Sequence, residues 1–307
     1  MILRLDELAI ELPKPTNPSA NDAAAIQELI GGKFGEMSTL MNYTFQSFNF
    51  RGRDRLRPFY ALTSAIAAEE YSHIESVTYA INLLLTGTSP RGTDPVPGPL
   101  AGNVGARNTD HFLNSGQTAL PYDSMGRPWT GENVFSSGNL RLDLLHNFFL
   151  ECGARAGKMR AYSMVTDPCA RTMIGYLLVR GTLHVYAYAL ALEKLTGVDV
   201  KKLMPIPSLK NTQFPEAKKF MDHGLHKKLY TFSPDAYQEA GLIWNGNHPE
   251  DGSPLEVVQG AIKGVPYPVL EEEPQLDSPG EMDFDPEMFK DVATKLGLSM
   301  EWKQRHG

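Results

Sequence analysis

The sequence predicts an all-α fold: a four-helix bundle with a long crossover between helices two and three, an N-terminal arm and an extended C-terminal tail. Three observations carry this. Four long stretches place apolar residues at helical spacing between recognisable start and stop residues. A segment rich in Gly, Pro, Asn, Asp and Ser separates the first two stretches from the last two. With 42% hydrophobic residues, 307 residues hold enough apolar material for a substantial core.

In chain order, residues 1–20 form the arm. Ile2, Leu3, Leu5, Leu8, Ile10 and Leu12 alternate imperfectly, and Pro13 and Pro15 stop the pattern, giving an extended arm or short edge strand. The bundle spans 21–197. Its first helix is expected from about Asn21, a suitable N-cap, to about Asn49, before the turn Arg51-Gly52-Arg53-Asp54. Gly31, Gly32 and Gly35 weaken that helix locally and permit close approach beside Glu36. The second helix runs roughly from Arg55 to Leu85, with Gly87 and Pro90 as stops. Residues 88–136 are the irregular crossover, with Phe112, Leu120, Tyr122 and Trp129 available to pack it on the bundle. The third helix is expected from about Ser137 to Val165. The fourth runs from about Pro168 to Thr196, with Asp167 as N-cap, Pro168 at its first position and Gly197 closing it. Residues 198–307 are Pro-rich and suit a subunit-wrapping tail, with short helices near Glu216 to Lys228 and Pro286 to Leu296.

A formal charge of −7 argues against nucleic acid as a partner. The N-terminus shows no apolar signal core, and no run of about 18 apolar residues suggests a membrane span, so a cytoplasmic protein is expected. Cys152 and Cys169 are too few for a disulfide framework and lack C-x-x-C spacing, which fits a reducing compartment.

The chemistry begins with Glu70-Tyr71-Ser72-His73. An E-x-x-H pair stands on one helical face a turn apart and could share a metal ion. Alone it is near chance: with 8 His in the chain, a given Glu has His three positions later roughly once in 40. Depth along the bundle adds far more. Glu36 lies 16 residues before Gly52 and Glu70 lies 18 after it. Both therefore sit about 25 Å from the turn of an antiparallel hairpin. In the second hairpin, Glu151 lies 16 residues before Asp167 and His184 lies 17 after it. Glu151 and His184 also lie in strongly apolar segments, where charge must be paired or metal-bound. Four facing helices projecting Glu and His inward are the layout of dimetal carboxylate bundles.

The second half-site lacks the duplicate E-x-x-H, because Gly181 stands three residues before His184. Three carboxylates against two divalent ions leave one positive charge for a water-derived bridge, whereas a fourth carboxylate would lean towards dioxygen activation on iron. Oxygen and imidazole donors suit manganese or iron alike. Other signals read as structural. Asp143 and His146 have D-x-x-H spacing, but His146 lies well round the helix from Glu151. Gly31 to Gly35 lacks the ending of a phosphate loop. Cys152 points about 100° away from Glu151, and His223 and His226 read as solvated surface.

The segments GKFGEMSTLMNYTFQSFNFRG, AAEEYSHIE, SGNLRLDLLHNFFLECGAR and MIGYLLVRGTLHVYAYALALEKLTG resemble the bundle of manganese catalases, a ferritin-like family, in the same order and with compatible spacing. The likeness continues through LMPIPSLKN, PEAKKFMD and FSPDAYQEAGLIWNG. It implies that Glu36 and His73 bind one manganese, Glu151 and His184 bind a second, and Glu70 with water or hydroxide bridges them. It further implies disproportionation of hydrogen peroxide to dioxygen and water, with the pair cycling between Mn(II,II) and Mn(III,III), in a homohexamer. Some members carry an Arg and Glu pair near the cluster; Leu150 and Gly181 occupy the positions where that pair would be sought. Helix phase adds Tyr43, seven residues after Glu36, and Lys158, seven after Glu151, as hydrogen-bonding or proton-relay residues. Arg155, four after Glu151, is a candidate for balancing carboxylate charge. A ferritin-like di-iron oxidase and a metal storage protein are the alternatives.

Overall fold

The computed structural model describes residues 5–86, 105–203, 210–235, 237–270, 291 and 294–297. It is a helical bundle. The first expected helix is two helices, α1 (Ala20–Gly31) and α2 (Glu36–Phe48), followed by α3 (Arg57–Leu85), the short α4 (Asp110–Leu113), α5 (Leu140–Met164), α6 (Pro168–Thr196) and α7 (Pro215–Asp222). The caps are local sequence chemistry. Ser19, rather than Asn21, caps α1 by accepting from the Asp22 N–H; Asn139 caps α5; Asp167 caps α6, which Gly197 ends at a φ of 75°.

The interruption between α1 and α2 corrects the expected continuous helix. A Cβ on Gly31 would collide with the backbone of Tyr122, one on Gly32 with Glu28, and one on Gly35 with the Ile30 carbonyl. The crossover thus lies directly against the chain at the break. Phe112 packs on the core as expected, and polar bonds hold the crossover as well. Gln27 Nε2 donates to the carbonyls of Leu120 and Tyr122. Trp129 Nε1 donates to Ser38 Oγ, and Asn42 and Gln46 donate to the carbonyls of Asn133 and Phe135.

Helices α2 and α3 pack as one hairpin and α5 and α6 as the other, with α3 against α6 and α2 against α5 between them. The core falls into two apolar clusters along the bundle. One holds Ile26, Val77, Ile81, Met173 and Leu177; the other holds Leu62, Ile66, Leu144, Leu183 and Leu192. On α3 the residues singled out for chemistry, Glu70 and His73, lie between the two, while Tyr43 belongs to the second cluster and His184 lies at its edge beside Leu183.

The arm packs as expected: Leu8, Ile10 and Leu12 are buried, and Leu8 bridges antiparallel to Val265. Thr16 and Asn17 donate their N–H groups to Asp167 Oδ2. In the tail, α7 packs on α6. Two strands absent from the sequence reading, β1 (Lys228–Thr231) and β2 (Glu256–Gln259), pair in parallel with Lys228 opposite Glu256, and β1 lies on α3. The expected helix near Pro286 to Leu296 falls largely outside the described residues, as do residues 88–104 of the crossover and Ile2 and Leu3 of the arm.

Candidate metal centre

Glu36 begins α2, Glu70 and His73 stand one turn apart on α3, Glu151 lies on α5 and His184 on α6. All five are buried, none more than 1% exposed. Glu70 is central. Its Oε2 is 3.0 Å from His73 Nδ1 and its Oε1 is 2.8 Å from His184 Nδ1. Glu36 Oε2 lies 3.5 Å from the same nitrogen of His73, and Glu151 Oε1 lies 3.4 Å from that of His184. The five side chains therefore sort into two half-sites, Glu36 with His73 and Glu151 with His184, each facing one oxygen of Glu70.

These groups fit a pair of divalent ions. Glu70 Oε1, Glu151 Oε2 and both ring nitrogens of His184 are buried without a hydrogen bond of acceptable geometry. Convergent buried acceptors in that condition call for cationic charge. Carboxylate oxygens with two imidazoles are a donor set that suits manganese.

Two cross-braces hold the carboxylates. Lys158 Nζ on α5 lies 2.8 Å from Glu36 Oε1 on α2, and Tyr43 OH on α2 donates to Glu151 Oε1 on α5 at 2.8 Å. Burial opposes ionisation of Glu36, but Lys158 and His73 outweigh it and hold the carboxyl well below its ordinary range. Burial likewise opposes the Lys158 charge, yet Glu36, Glu151 and Glu70 raise its pKa above the usual value. Burial and the neighbouring Glu151 push the Tyr43 phenol well above its usual value, so it remains a donor. Gly181 belongs to this arrangement, since a Cβ there would lie 3.3 Å from Lys158 Nζ. The lysine ammonium occupies the space beside the position where a duplicate E-x-x-H would carry its glutamate.

Arg155 is placed differently from its expected role. It is buried, but its Nη1 donates to the Leu178 carbonyl, Thr182 Oγ1 and Asn211 Oδ1, joining α5 to α6 and the tail. Nor is an Arg and Glu pair lacking. Glu69, 2% exposed, receives Arg180 Nε and Nη2 on its two oxygens, the latter at 2.7 Å. The same two oxygens face the far sides of both imidazoles: Oε1 is 3.4 Å from His73 Nε2 and Oε2 is 3.6 Å from His184 Nε2. Burial opposes the Glu69 charge, and Arg180 holds the carboxyl well below its ordinary range. Arg180 also donates to the carbonyls of Leu225 and Lys228, tying the tail to this layer. Thr39, a further residue absent from the sequence reading, donates to Glu70 Oε2 at 3.0 Å. Glu69 lies four before His73, Arg180 four before His184, and Thr39 three after Glu36. The same-face rule applied one turn either side of each ligand finds all three.

The remaining expectations divide. His146 stacks on Phe135 at 4.7 Å and Asp143 accepts from Ser137, so neither joins the centre. His223 is exposed, but His226 is buried, contrary to its reading as surface. No helix among the described residues is long and apolar enough to cross a membrane.

The family model described as manganese containing catalase matches residues 1–294. A manganese catalase of Bacillus subtilis is 31% identical over 255 residues, covering 81% of this chain and 87% of its own. One from Lactiplantibacillus plantarum is 31% identical over 186 residues, 59% of this chain and 68% of its own. Among solved structures, a manganese catalase from Anabaena superposes with a TM-score of 0.53 at 24% identity, over 64% of this chain and 81% of that one, and shows the fold. The chain belongs to the family of manganese-containing catalases.

Proposed function

We infer that this chain disproportionates hydrogen peroxide to dioxygen and water at a pair of manganese ions held by Glu36, Glu70, His73, Glu151 and His184. The observation that carries the dinuclear reading is the division of Glu70, one oxygen towards each half-site. When bound, the manganese pair supplies a two-electron couple between Mn(II,II) and Mn(III,III), matching the two electrons exchanged per peroxide.

The protein's own groups hold that couple in place and manage protons. Glu69, fixed by Arg180, faces the outer nitrogens of both histidines and orients their Nδ1 atoms inward. Because Arg180 engages both its oxygens, Glu69 is withheld from acting as a fourth carboxylate ligand. Lys158 keeps a proton at Nζ against Glu36, and Tyr43 keeps one at its hydroxyl against Glu151. Each stands where a proton can be passed to or taken from a ligand carboxylate. The apolar clusters on both sides keep the layer dry, which strengthens every charge interaction in it.

Exposed Phe48, Phe149 and Leu142 on α2 and α5 support a homo-oligomer, which we take to be a hexamer. Light scattering tests that count. The function is tested by measuring manganese, iron and peroxide-dependent oxygen release on one purified sample. A manganese pair per chain with one dioxygen released per two peroxides is expected. Iron with no oxygen release overturns the reading.

A further inference from the structure

A second cluster of ligand-type side chains lies in the tail. His226 precedes β1, while His248 and Asp251 sit in the turn before β2. Each offers one donor atom, and these atoms all lie within 4.8 Å of one another. His226 Nε2 is 2.8 Å from Asp251 Oδ2, and His248 Nδ1 is 3.5 Å from Asp251 Oδ1.

Backbone bonds build the turn before any ligand arrives. The His248 N–H donates to the Ser253 carbonyl at 2.7 Å, and the Gly252 N–H to the His248 carbonyl at 2.8 Å. Ser253 donates through N–H and hydroxyl to Asp251 Oδ1, at 3.0 and 2.8 Å. His248 Nδ1 accepts from the Glu250 N–H at 3.2 Å, so this nitrogen is unprotonated, and an ion would take over the lone pair now turned to that N–H. Preorganised donors of this kind lower the ordering cost of binding.

Hydrogen bonding within the protein leaves the pair of histidines incompletely explained. Both imidazoles are buried and meet edge to face at 4.7 Å; His226 Nε2 and His248 Nδ1 face Asp251, with Ser253 Oγ 3.4 Å from the former, while the other two nitrogens, His226 Nδ1 and His248 Nε2, make no hydrogen bond. Two buried imidazoles joined to a single carboxylate need a reason to be there. Asp251 is 40% exposed and leaves an approach from solvent.

We propose that His226, His248 and Asp251 form a mononuclear site for a divalent transition-metal ion of the zinc class, separate from the bundle layer. Two imidazoles and one carboxylate with an open side towards water are a common set for zinc. The donor balance is opposite to that of the bundle, where carboxylates outnumber imidazoles. Imidazole-rich sites suit zinc and carboxylate-rich sites suit manganese, so ligand type favours different ions at the two centres. An ion here joins the segment before β1 to the turn before β2 and fastens a tail region with little regular structure of its own.

The test uses the full-length, manganese-loaded protein, exposed to zinc or cobalt(II), dialysed and analysed for metal, with cobalt absorption as the ligand-field signature. Wild type and Glu70→Gln are expected to retain one added ion per chain. Asp251→Asn and His226→Gln are expected to bind it at least tenfold more weakly, with unchanged circular dichroism. Asp251→Asn is expected to leave peroxide turnover unchanged. Equal zinc uptake by wild type and Asp251→Asn overturns the proposal, as does no uptake by wild type. Uptake that disappears in Glu70→Gln but survives in Asp251→Asn places the ion in the bundle and overturns it equally.

Discussion

Glu69 and Glu70 are adjacent in sequence, yet they face opposite sides of the same two imidazoles. Glu70→Ala or His184→Ala should abolish both metal pairing and turnover, and retention of the metal pair with full activity would refute their assignment. Glu69→Gln keeps the side-chain shape but removes the charge that orients both rings. Manganese affinity is expected to fall roughly 10- to 100-fold; titration showing unchanged affinity would remove Glu69 from that role. Lys158→Met should retain the metal pair and lose on the order of 100-fold in turnover, since one positioned proton donor contributes about that much. Full turnover would assign Lys158 to charge balance alone. Four of the candidate ligands were legible because hairpin counting fixes depth, which is independent of side-chain detail, and His73 because it stands one turn after Glu70. Glu69 and Arg180 were not, because each looks like an ordinary helix charge until its partner on the other hairpin is known.

At the scale of single elements, glycines in the helices carry opposite costs. Gly31 abuts the Tyr122 backbone, so Gly31→Ala must push the crossover away and should destabilise the protein by about 2 kcal/mol or more. A Cβ on Gly157 in α5 meets nothing within 4 Å, so Gly157→Ala should stabilise by roughly 0.5–1 kcal/mol through helix propensity alone. Parallel denaturant titrations check both, and a stabilising Gly31→Ala would contradict the close approach described. Helices α3, α5 and α6 could be read within a few residues because caps and stops are local chemistry. The α1/α2 break was seen only as a weakness, since its cause, Tyr122, is remote in sequence. The pairing of β1 with β2 gave no signal: four residues are too few for periodicity, and a parallel pair is joined by a long connection.

For the whole molecule, a polar layer between two apolar clusters makes stability sensitive to charge entering the interior. His111 is one such entry point. It is buried where the crossover meets α1, 2.8 Å from Gln27 Oε1, and burial, partly offset by Asp110, pushes it down to about 4. The unfolded chain titrates near 6.5 and so binds the proton more readily. This group therefore costs nothing above about pH 6.5, and stability falls as pH drops from there towards 4, by up to roughly 3 kcal/mol. Denaturant unfolding of metal-free protein at pH 7 and pH 5 should show a smaller decrease in His111→Gln than in wild type. Equal decreases would remove His111 as a source of acid lability.

The division of Glu70 between the half-sites reaches beyond chemistry, because Glu70 belongs to the α2/α3 hairpin while His184 and Glu151 belong to the α5/α6 hairpin. A cation bound there is a fastener shared by two units that each form from local contacts. Mass action then makes thermal stability a function of free manganese, with about 2.7 kcal/mol gained at 100 times the dissociation constant. Stripped protein should keep its individual helices but exchange amide hydrogens sooner where α2 meets α5, so a cell short of manganese would lose the catalyst by turnover of the chain as well as by idleness of the site.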